Sequence, residues 1–265
     1  MYLIINGCPR KGNTWKLVEV AKEVIQKEKP ATVFEEINLV EEKLPFCTGC
    51  SNCFRLGHEK CPHSVSMMKI IKAIESAEGV IIASTTYFRR ETSILKNLFD
   101  HLCFMTHRPH FFTSKALVIT TTGGVGGKAA AKGIASFLES IGFNRCYQFS
   151  VAALSWNAYQ VSSKTKSKLT RVTEKFVKDV RSGQLHSPSY LLLIPYNLFR
   201  GMALSYRKGT EYETQDGIYW TEECRRNGVY DSAVKIPFYK KPFGQLFYLI
   251  GKYAGEKMMV TYRKN

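Results

Sequence analysis

The chain has 265 residues, enough for one domain with a full core or for one domain with an appendage. Hydrophobic residues make up 45% of it and charged residues 23%, which is the composition of an ordinary globular protein. Its 38 Lys and Arg residues outnumber its 22 Asp and Glu residues, giving a net charge of +16 at pH 7. This excess favours acidic partners such as nucleotide phosphates, nucleic acid or an anionic membrane, although a basic solvated surface is the simpler explanation.

The sequence predicts a cytoplasmic protein. Residues 2–6 are apolar, but they are too few for a secretory signal and lead into a charged turn. The longest apolar stretch, residues 190–204, contains Pro195, Asn197 and Arg200 and is too interrupted to span a bilayer. We therefore expect the cysteines to be reduced thiols.

The chain opens with a strand, a turn and a helix. An apolar strand at 2–6 runs into Gly-Cys-Pro-Arg-Lys-Gly-Asn-Thr at 7–14, and apolar residues then recur at helical spacing over 15–25. This arrangement presents backbone N–H groups and the positive end of a helix to a phosphate. Arg10 adds charge, and Asn13 adds an amide donor.

Three phosphate chemistries are excluded at this loop. Cys8 is not followed five or six positions later by the arginine that a tyrosine phosphatase needs. The loop lacks the Gly-Lys-Ser/Thr ending of an NTP-binding loop and the third glycine of a dinucleotide fingerprint. What remains is a metal-free cradle for a terminal monophosphate, or a plain turn.

Strand and helix patterns alternate over the first 185 residues, which predicts a parallel sheet with helices on both faces. Ligands of such sheets bind beyond the carboxyl ends of the strands, and we expect three polar loops to converge there. The predicted strands are 2–6, 31–39, 79–84, 116–120 and 146–153, the helices 15–25, 63–77, 91–103, 129–141 and 164–181, and the loops 7–14, 84–90 and 121–127.

Two of these loops suit a flat anionic ligand. In the loop at 84–90, Tyr87 and Phe88 can flank a planar ring, and Arg89 can meet a negative charge. The loop at 121–127 is rich in glycine, so a flat ligand can approach its backbone closely. The neighbouring Asp100 and His101 are interpreted as a structural polar pair.

Four cysteines fall within fifteen residues, in the pattern Cys-x2-Cys-x2-Cys-x7-Cys. Their thiolates suit a [4Fe–4S] cluster or a tetrahedral zinc ion. Free thiols that line a substrate pocket are an equal alternative. These candidate metal ligands are Cys47, Cys50, Cys53 and Cys61.

Beyond Gly183 the pattern changes, and residues 185–265 interleave aromatic with basic residues. We predict a C-terminal extension that packs on the core, on a second subunit or on a membrane surface.

In combination, these motifs resemble the flavodoxin-like NAD(P)H-dependent FMN reductases, and among them the iron–sulfur flavoprotein branch. Residues 7–14 are similar to the family's Gly-Ser-Pro-Arg-x-Gly-Asn-Thr phosphate loop, and 47–53 with Cys61 to its Cys-x-Gly-Cys-x2-Cys stretch. Residues 84–88 with 95–100 are similar to its Ser-Pro-x-Tyr-Phe … Leu-Lys … Asp-Arg pattern. The likeness covers about residues 1–150.

The resemblance implies a doubly wound five-stranded α/β sheet of order 2-1-3-4-5. Residues 1–184 would form an FMN-binding domain, and 185–265 the extension. The residues expected to hold the FMN phosphate are Cys8, Arg10, Gly12, Asn13 and Thr14; those bordering its ring are Thr85, Thr86, Tyr87, Phe88, Arg89, Thr122, Gly123 and Gly124.

The expected function is that of an FMN-dependent oxidoreductase. It would take electrons from NADPH or NADH and pass them to a small molecule or a redox protein, with the flavin doing the chemistry and no side chain obligatory as acid or base. We expect a homodimer or higher homo-oligomer, no nucleic acid and no more than peripheral membrane contact. One alternative is an electron carrier with a [4Fe–4S] cluster on the four cysteines, and another is a non-enzymatic basic protein that binds membrane or nucleic acid.

Overall fold

A computed structural model describes residues 1–156, 158–222, 225 and 227–257. Five parallel strands form one sheet in the order β2-β1-β3-β4-β5, which confirms the predicted flavodoxin-like fold. The strands are β1 (Tyr2–Asn6), β2 (Phe34–Asn38), β3 (Gly79–Thr85), β4 (Lys115–Thr122) and β5 (Arg145–Ala152).

Helices cover both faces of this sheet because the central strands are apolar on both sides. Ile4 and Ile81 share one apolar cluster with the helices that follow β1 and β5, while Leu3 and Val80 share another with the helices that precede β3 and follow β3 and β4. The helices of this part are α1 (Asn13–Glu28), α2 (Asn52–Arg55), α3 (Ser64–Ser76), α4 (Ser93–His101), α5 (Gly127–Ser140) and α6 (Ser163–Ser182).

β4 begins one residue earlier and ends two residues later than the sequence predicts. Its first residue, Lys115, is 2% exposed, because its Nζ atom donates to the carbonyl and carboxylate oxygens of Asp179 on α6. An ion pair that crosses from sheet to helix is not visible in the hydrophobic periodicity, so the pattern placed the start of the strand one residue too late.

Among the described residues beyond 185, three further α-helices follow: α7 (Tyr190–Met202), α8 (Gln215–Thr221) and α9 (Lys241–Lys257). They enclose a third apolar cluster that includes Trp220 and also Phe112 of the first part of the chain. The indole of Trp220 donates to the carbonyl of His107 at 2.9 Å, and the hydroxyl of Tyr219 donates to that of Pro109. The extension therefore packs on the core, although a domain boundary at residue 184 stays a prediction.

Residues 258–265, at the end of the predicted extension, lie outside the described residues. No helix in the described part of the chain has the length and apolar character needed to cross a membrane.

Candidate functional site

The three polar loops meet at the carboxyl edge of β1, β3 and β4, where β1 and β3 lie side by side although they are not consecutive. Between the loops lies a cavity of about 550 Å³, within the usual range of ligand pockets of about 300–1,000 Å³. We call it the loop cavity. Its walls are formed by Pro9, Arg10, Gly12, Asn13, Thr85, Thr86, Tyr87, Phe88, Thr121, Thr122, Gly123, Ala153, Ser155 and Trp156.

One end of the loop cavity is built by the first turn of the fold. Gly7 must be glycine, since a Cβ there would lie 2.8 Å from the Cβ of Leu95. The helix α1 then begins at Asn13 without a side-chain cap. The first backbone N–H groups of this helix therefore have no capping partner at this end of the cavity. The Asn13 amide donates to the Ser155 carbonyl at 2.9 Å, and Arg10 donates to the Trp156 carbonyl at 3.2 Å. Helix N–H groups beside a guanidinium form a site for an anion.

Hydroxyl groups form the floor. The Thr14 hydroxyl lies 2.6 Å from that of Thr121 and 3.3 Å from that of Thr85. The Thr85 hydroxyl in turn donates to the Cys8 sulfur at 3.6 Å. Burial raises the pKa of the Cys8 thiol, and the hydroxyl contacts of Thr85 and Thr14 only partly oppose this. Cys8 is therefore a neutral thiol at pH 7 and not a nucleophile.

The loop after β3 is locally strained. Phe88 and Arg89 adopt left-handed backbone angles, with φ of 44° and 67°, a conformation uncommon for residues other than glycine. A short antiparallel bridge between Tyr87 and Arg90 closes this turn. Phe88 is 96% exposed and Tyr87 56%, so the strained turn holds two aromatic rings in solvent at the cavity mouth. Strain of this kind is concentrated at functional sites.

A fourth loop, which the sequence analysis missed, completes the cavity. It follows β5 and contributes Ala153, Ser155 and the 92%-exposed Trp156. The rule that identified the other three loops would have included it, because it too lies at the carboxyl end of a parallel strand. Its composition carries no glycine and no basic residue, so nothing marked it as a binding loop.

The structure brings together most of the residues predicted to bind FMN. Nine line the loop cavity, whereas Cys8 and Thr14 are buried beneath it and Arg89 and Gly124 lie outside its wall. Arg89 lies against the next loop, since a Cβ on Gly126 would come within 2.7 Å of its Cγ. The nine are Arg10, Gly12, Asn13, Thr85, Thr86, Tyr87, Phe88, Thr122 and Gly123.

Two buried polar atoms of the cavity residues have no partner within the described part of the chain. They are the Thr86 hydroxyl and the Asn13 side-chain oxygen. Buried polar atoms normally form a hydrogen bond, and leaving one unpaired costs about 1–3 kcal/mol. Among the described residues, no Asp or Glu lines the cavity. These features fit a ligand such as FMN, with a negatively charged end and polar ring atoms.

The four predicted metal ligands line a second, separate cavity of about 330 Å³, which we call the cysteine cavity. Cys47 and Cys50 are exposed, and Cys53 and Cys61 are half-buried. Burial, with the nearby Cys61, raises the pKa of Cys53 to about 11. The remaining wall residues include Cys103, His63, Asp100 and His101. This donor set fits a thiolate-bound metal group. Asp100 is exposed, so it is not the buried partner of His101 that the sequence suggested.

The C-terminal extension supports this second cavity. Asp216 of α8 accepts from Arg108 and His107, each at 2.9 Å. Arg108, which is 7% exposed, also donates to the carbonyls of Cys53 and Phe54. The carboxylate of Asp216 thus fixes the guanidinium that holds the cysteine loop.

Comparison with known proteins places the chain among flavoproteins. The sequence profile of the NADPH-dependent FMN reductase family matches residues 2–152. An iron–sulfur flavoprotein of Clostridioides difficile is 28% identical over 176 residues, covering 66% of this chain and 76% of that protein. An iron–sulfur flavoprotein of Methanocaldococcus jannaschii is 38% identical over 97 residues, covering 36% of this chain and 48% of that protein.

Two solved structures share the fold. A flavoenzyme NAD(P)H:acceptor oxidoreductase from Paracoccus denitrificans gives a TM-score of 0.50 at 19% identity, over 69% of this chain and 98% of that one. An oxidoreductase from Corynebacterium diphtheriae gives 0.52 at 13% identity, over 68% and 97%. The family match spans more than half of the chain and coincides with the whole sheet and three of its four cavity loops. The chain belongs to the NADPH-dependent FMN reductase family and is an FMN-dependent oxidoreductase.

Proposed function

We propose that the loop cavity binds FMN and that the bound flavin is reduced by NADPH or NADH and reoxidised by an acceptor. The observation that carries this is the unpaired Thr86 hydroxyl, buried in a cavity that no described acidic residue lines. A bound flavin would supply the missing partner, and its phosphate would meet the N-terminus of α1. The flavin supplies the redox chemistry when bound.

The chain's own residues bind and orient the cofactor in this proposal. Arg10, Gly12 and the N–H groups of Asn13 and Thr14 hold the phosphate, with Cys8 below them as packing. Thr86, the Tyr87–Phe88 turn and the glycine loop after β4 border the ring. Trp156, on the fourth loop, covers the phosphate side, since its carbonyl already contacts Arg10.

The preference between phosphorylated and unphosphorylated flavin tests this assignment. Because charge-assisted contacts to the phosphate are the strong ones, we expect the flavin-free chain to bind FMN at least about tenfold tighter than riboflavin. Arg10→Ala should narrow that ratio, and Lys166→Ala, a distant exposed change, should leave it unaltered. If the unaltered chain bound the two flavins equally, the loop cavity would not be the binding site of the FMN phosphate.

The family name and the relatives support the electron donor and partner classes of the proposal. We propose NADPH or NADH as donor, a small molecule or redox protein as acceptor, and a cytoplasmic setting, in keeping with the free state of the seven described cysteines. Exposed apolar residues on the loops that follow β3, β4 and β5 support a homodimer or higher homo-oligomer; they are Tyr87, Phe88, Val125, Leu154 and Trp156.

A second candidate function is electron transfer through a [4Fe–4S] cluster. It is favoured by the presence of Cys47, Cys50, Cys53 and Cys61 around one cavity, and by relatives whose names include iron–sulfur flavoprotein. Protein purified without oxygen would then contain iron and sulfide and absorb light beyond the two flavin bands. Flavin absorption alone, with no iron, would refute this candidate.

A further inference from the structure

The cysteine cavity holds a compact donor group that the cysteine spacing does not show. The sulfur of Cys61 and one ring nitrogen each of His63 and His101 all lie within 4.8 Å of one another. Within the described part of the chain, no other three such donors are this close. Two ligands of a tetrahedral zinc ion, at about 2.0–2.3 Å each, lie about 3.3–3.8 Å apart, so the three donors would bind a single ion after approaching one another by at most about 1–1.5 Å.

The ring of His101 is held in place by a backbone hydrogen bond. It is the last residue of α4, is 5% exposed, and its Nε2 lies 2.9 Å from the carbonyl oxygen of Pro45. A carbonyl only accepts, so Nε2 is the donor of this hydrogen bond, and in the neutral ring it is Nδ1 that can bind a metal. Asn97 donates to the carbonyls of Leu44 and Pro45, which fixes the acceptor as well. A backbone carbonyl on the second nitrogen is the usual support of a ligating histidine.

Cys61 and His63 lie on one short turn that is held by a hydrogen bond of its own. The backbone N–H of His63 donates to the Cys61 sulfur at 3.4 Å, which fixes this sulfur beside His63. The ring of His63 meets that of His101 edge to face, with centroids 5.2 Å apart. Both residues immediately precede α3, which begins at Ser64, so the turn is anchored to a helix.

We propose that Cys61, His63 and His101 bind one Zn²⁺ ion, with the fourth position open to the cysteine cavity. Mixed sulfur and imidazole ligands are typical of zinc. Zinc has no redox chemistry, so the ion would tie the start of α3 to the end of α4 and carry no electrons. The site is independent of FMN. It competes for Cys61 with the four-cysteine cluster, from which it differs in needing both histidines and not Cys50.

Metal titration of the flavin-loaded full chain, stripped of metal by a chelator, tests this site. We expect one Zn²⁺ per chain, a rise in melting temperature with added Zn²⁺, and absorption bands of tetrahedral thiolate-bound cobalt on addition of Co²⁺. His63→Ala and Cys61→Ser should weaken Zn²⁺ binding at least tenfold. The matched control is Cys50→Ser, an exposed cysteine of the same cavity, which should bind Zn²⁺ as the unaltered chain does.

His101 is buried, so its test uses the gentler His101→Gln, with FMN content as the check that the chain still folds. Weakened Zn²⁺ binding at normal FMN content supports the site. Loss of metal in Cys50→Ser with retention in His63→Ala would overturn it, as would iron and sulfide in anaerobically purified protein. Failure of FMN binding in every variant and in the unaltered chain would instead count against the proposed function.

Discussion

The assignment of the loop cavity as the FMN site depends most on the hydroxyl group of Thr86. It is buried and unpaired, while the Thr86 backbone N–H is already bound to the Thr121 carbonyl at 2.8 Å. Thr86→Val keeps the shape and removes the donor, so we expect FMN affinity to fall about tenfold, or about 1.4 kcal/mol. Fluorescence titration measures this. Thr170→Val on α6 is the control, and equal affinity of both variants would show that the hydroxyl does not meet the flavin.

Cys8 illustrates how burial changes the meaning of a sequence motif. A cysteine after the first strand stands where a phosphatase has its nucleophile, but Cys8 is 2% exposed and its pKa is raised by burial. Thiolates are the reactive form, so we expect iodoacetamide at pH 8 to modify exposed Cys50 much faster than Cys8. Peptide mass spectrometry gives both rates. A Cys8 rate equal to that of Cys50 would contradict the buried, neutral state.

At the residue scale, the loops of the cavity could be predicted from the sequence, but the burial of each side chain in them could not. Arg10, Asn13 and Thr86 could be chosen because strand ends and donor types are visible in the sequence. The burial of Thr14, the contact of Arg89 with Gly126 and the contribution of Trp156 depend on how loops distant in the chain pack together. Only the folded structure shows that His101 shares a cavity with Cys61.

Among the elements, the junction of β4 with α6 rests on one buried ion pair. Burial acts to raise the pKa of Asp179, but hydrogen bonds from His186, Lys115 and Tyr147 outweigh it and lower that pKa. Removing one partner of a buried pair costs about 3–5 kcal/mol, whereas an exposed pair contributes about 0–1 kcal/mol. We therefore expect Asp179→Asn to lower the free energy of unfolding far more than Lys166→Met, which breaks the exposed pair with Glu23.

The pH dependence of this loss has a definite sign. Because the folded-state pKa of Asp179 is depressed, its stabilisation is complete above the unfolded value of about 3.9 and is lost as pH falls through the folded pKa. Urea unfolding should therefore show a constant gap between the unaltered chain and Asp179→Asn from pH 6 to 8, shrinking below about pH 4. A gap that grew on acidification would contradict the assignment.

The contact between Asp216 of α8 and Arg108, which holds the cysteine loop, can be tested separately. Asp216→Asn keeps a hydrogen-bond acceptor but leaves Arg108 without its counter-charge, at a cost of about 1–3 kcal/mol. Since Arg108 holds the Cys53 carbonyl, Cys53 should react faster with iodoacetamide while the Cys8 rate stays the same. Unchanged Cys53 labelling at an unchanged melting temperature would show that the extension does not support this loop.

The strands and their helices were predictable because β1, β3 and β4 are apolar runs between turns, and because apolar residues recur at helical spacing in α1 and in α3 to α6. The extension was not, since α7 to α9 bury their apolar faces against one another and against Phe112, a partner distant in the chain. Short α2 was missed because its four residues hold no apolar repeat.

At the scale of the whole molecule, the loop cavity and the cysteine cavity differ in their chemistry. The loop cavity is lined by hydroxyls, backbone and one arginine, which suits an anionic flavin. The cysteine cavity lies past the other end of α4, about 13 Å along the helix at 1.5 Å per residue, and is lined by thiols and imidazoles. The net charge of +16 favours the approach of anionic donors such as NADPH to either.

Anaerobic mixing of the FMN-loaded chain with NADPH, and separately with NADH, tests the proposed reaction directly. With the flavin spectrum followed over time, we expect at least one donor to bleach the oxidised flavin bands with one donor consumed per flavin, and air to restore them. Riboflavin-loaded chain serves as the matched control and should lose its flavin on dilution. Flavin bound in the loop cavity but left oxidised by both donors would contradict an FMN-dependent NAD(P)H oxidoreductase.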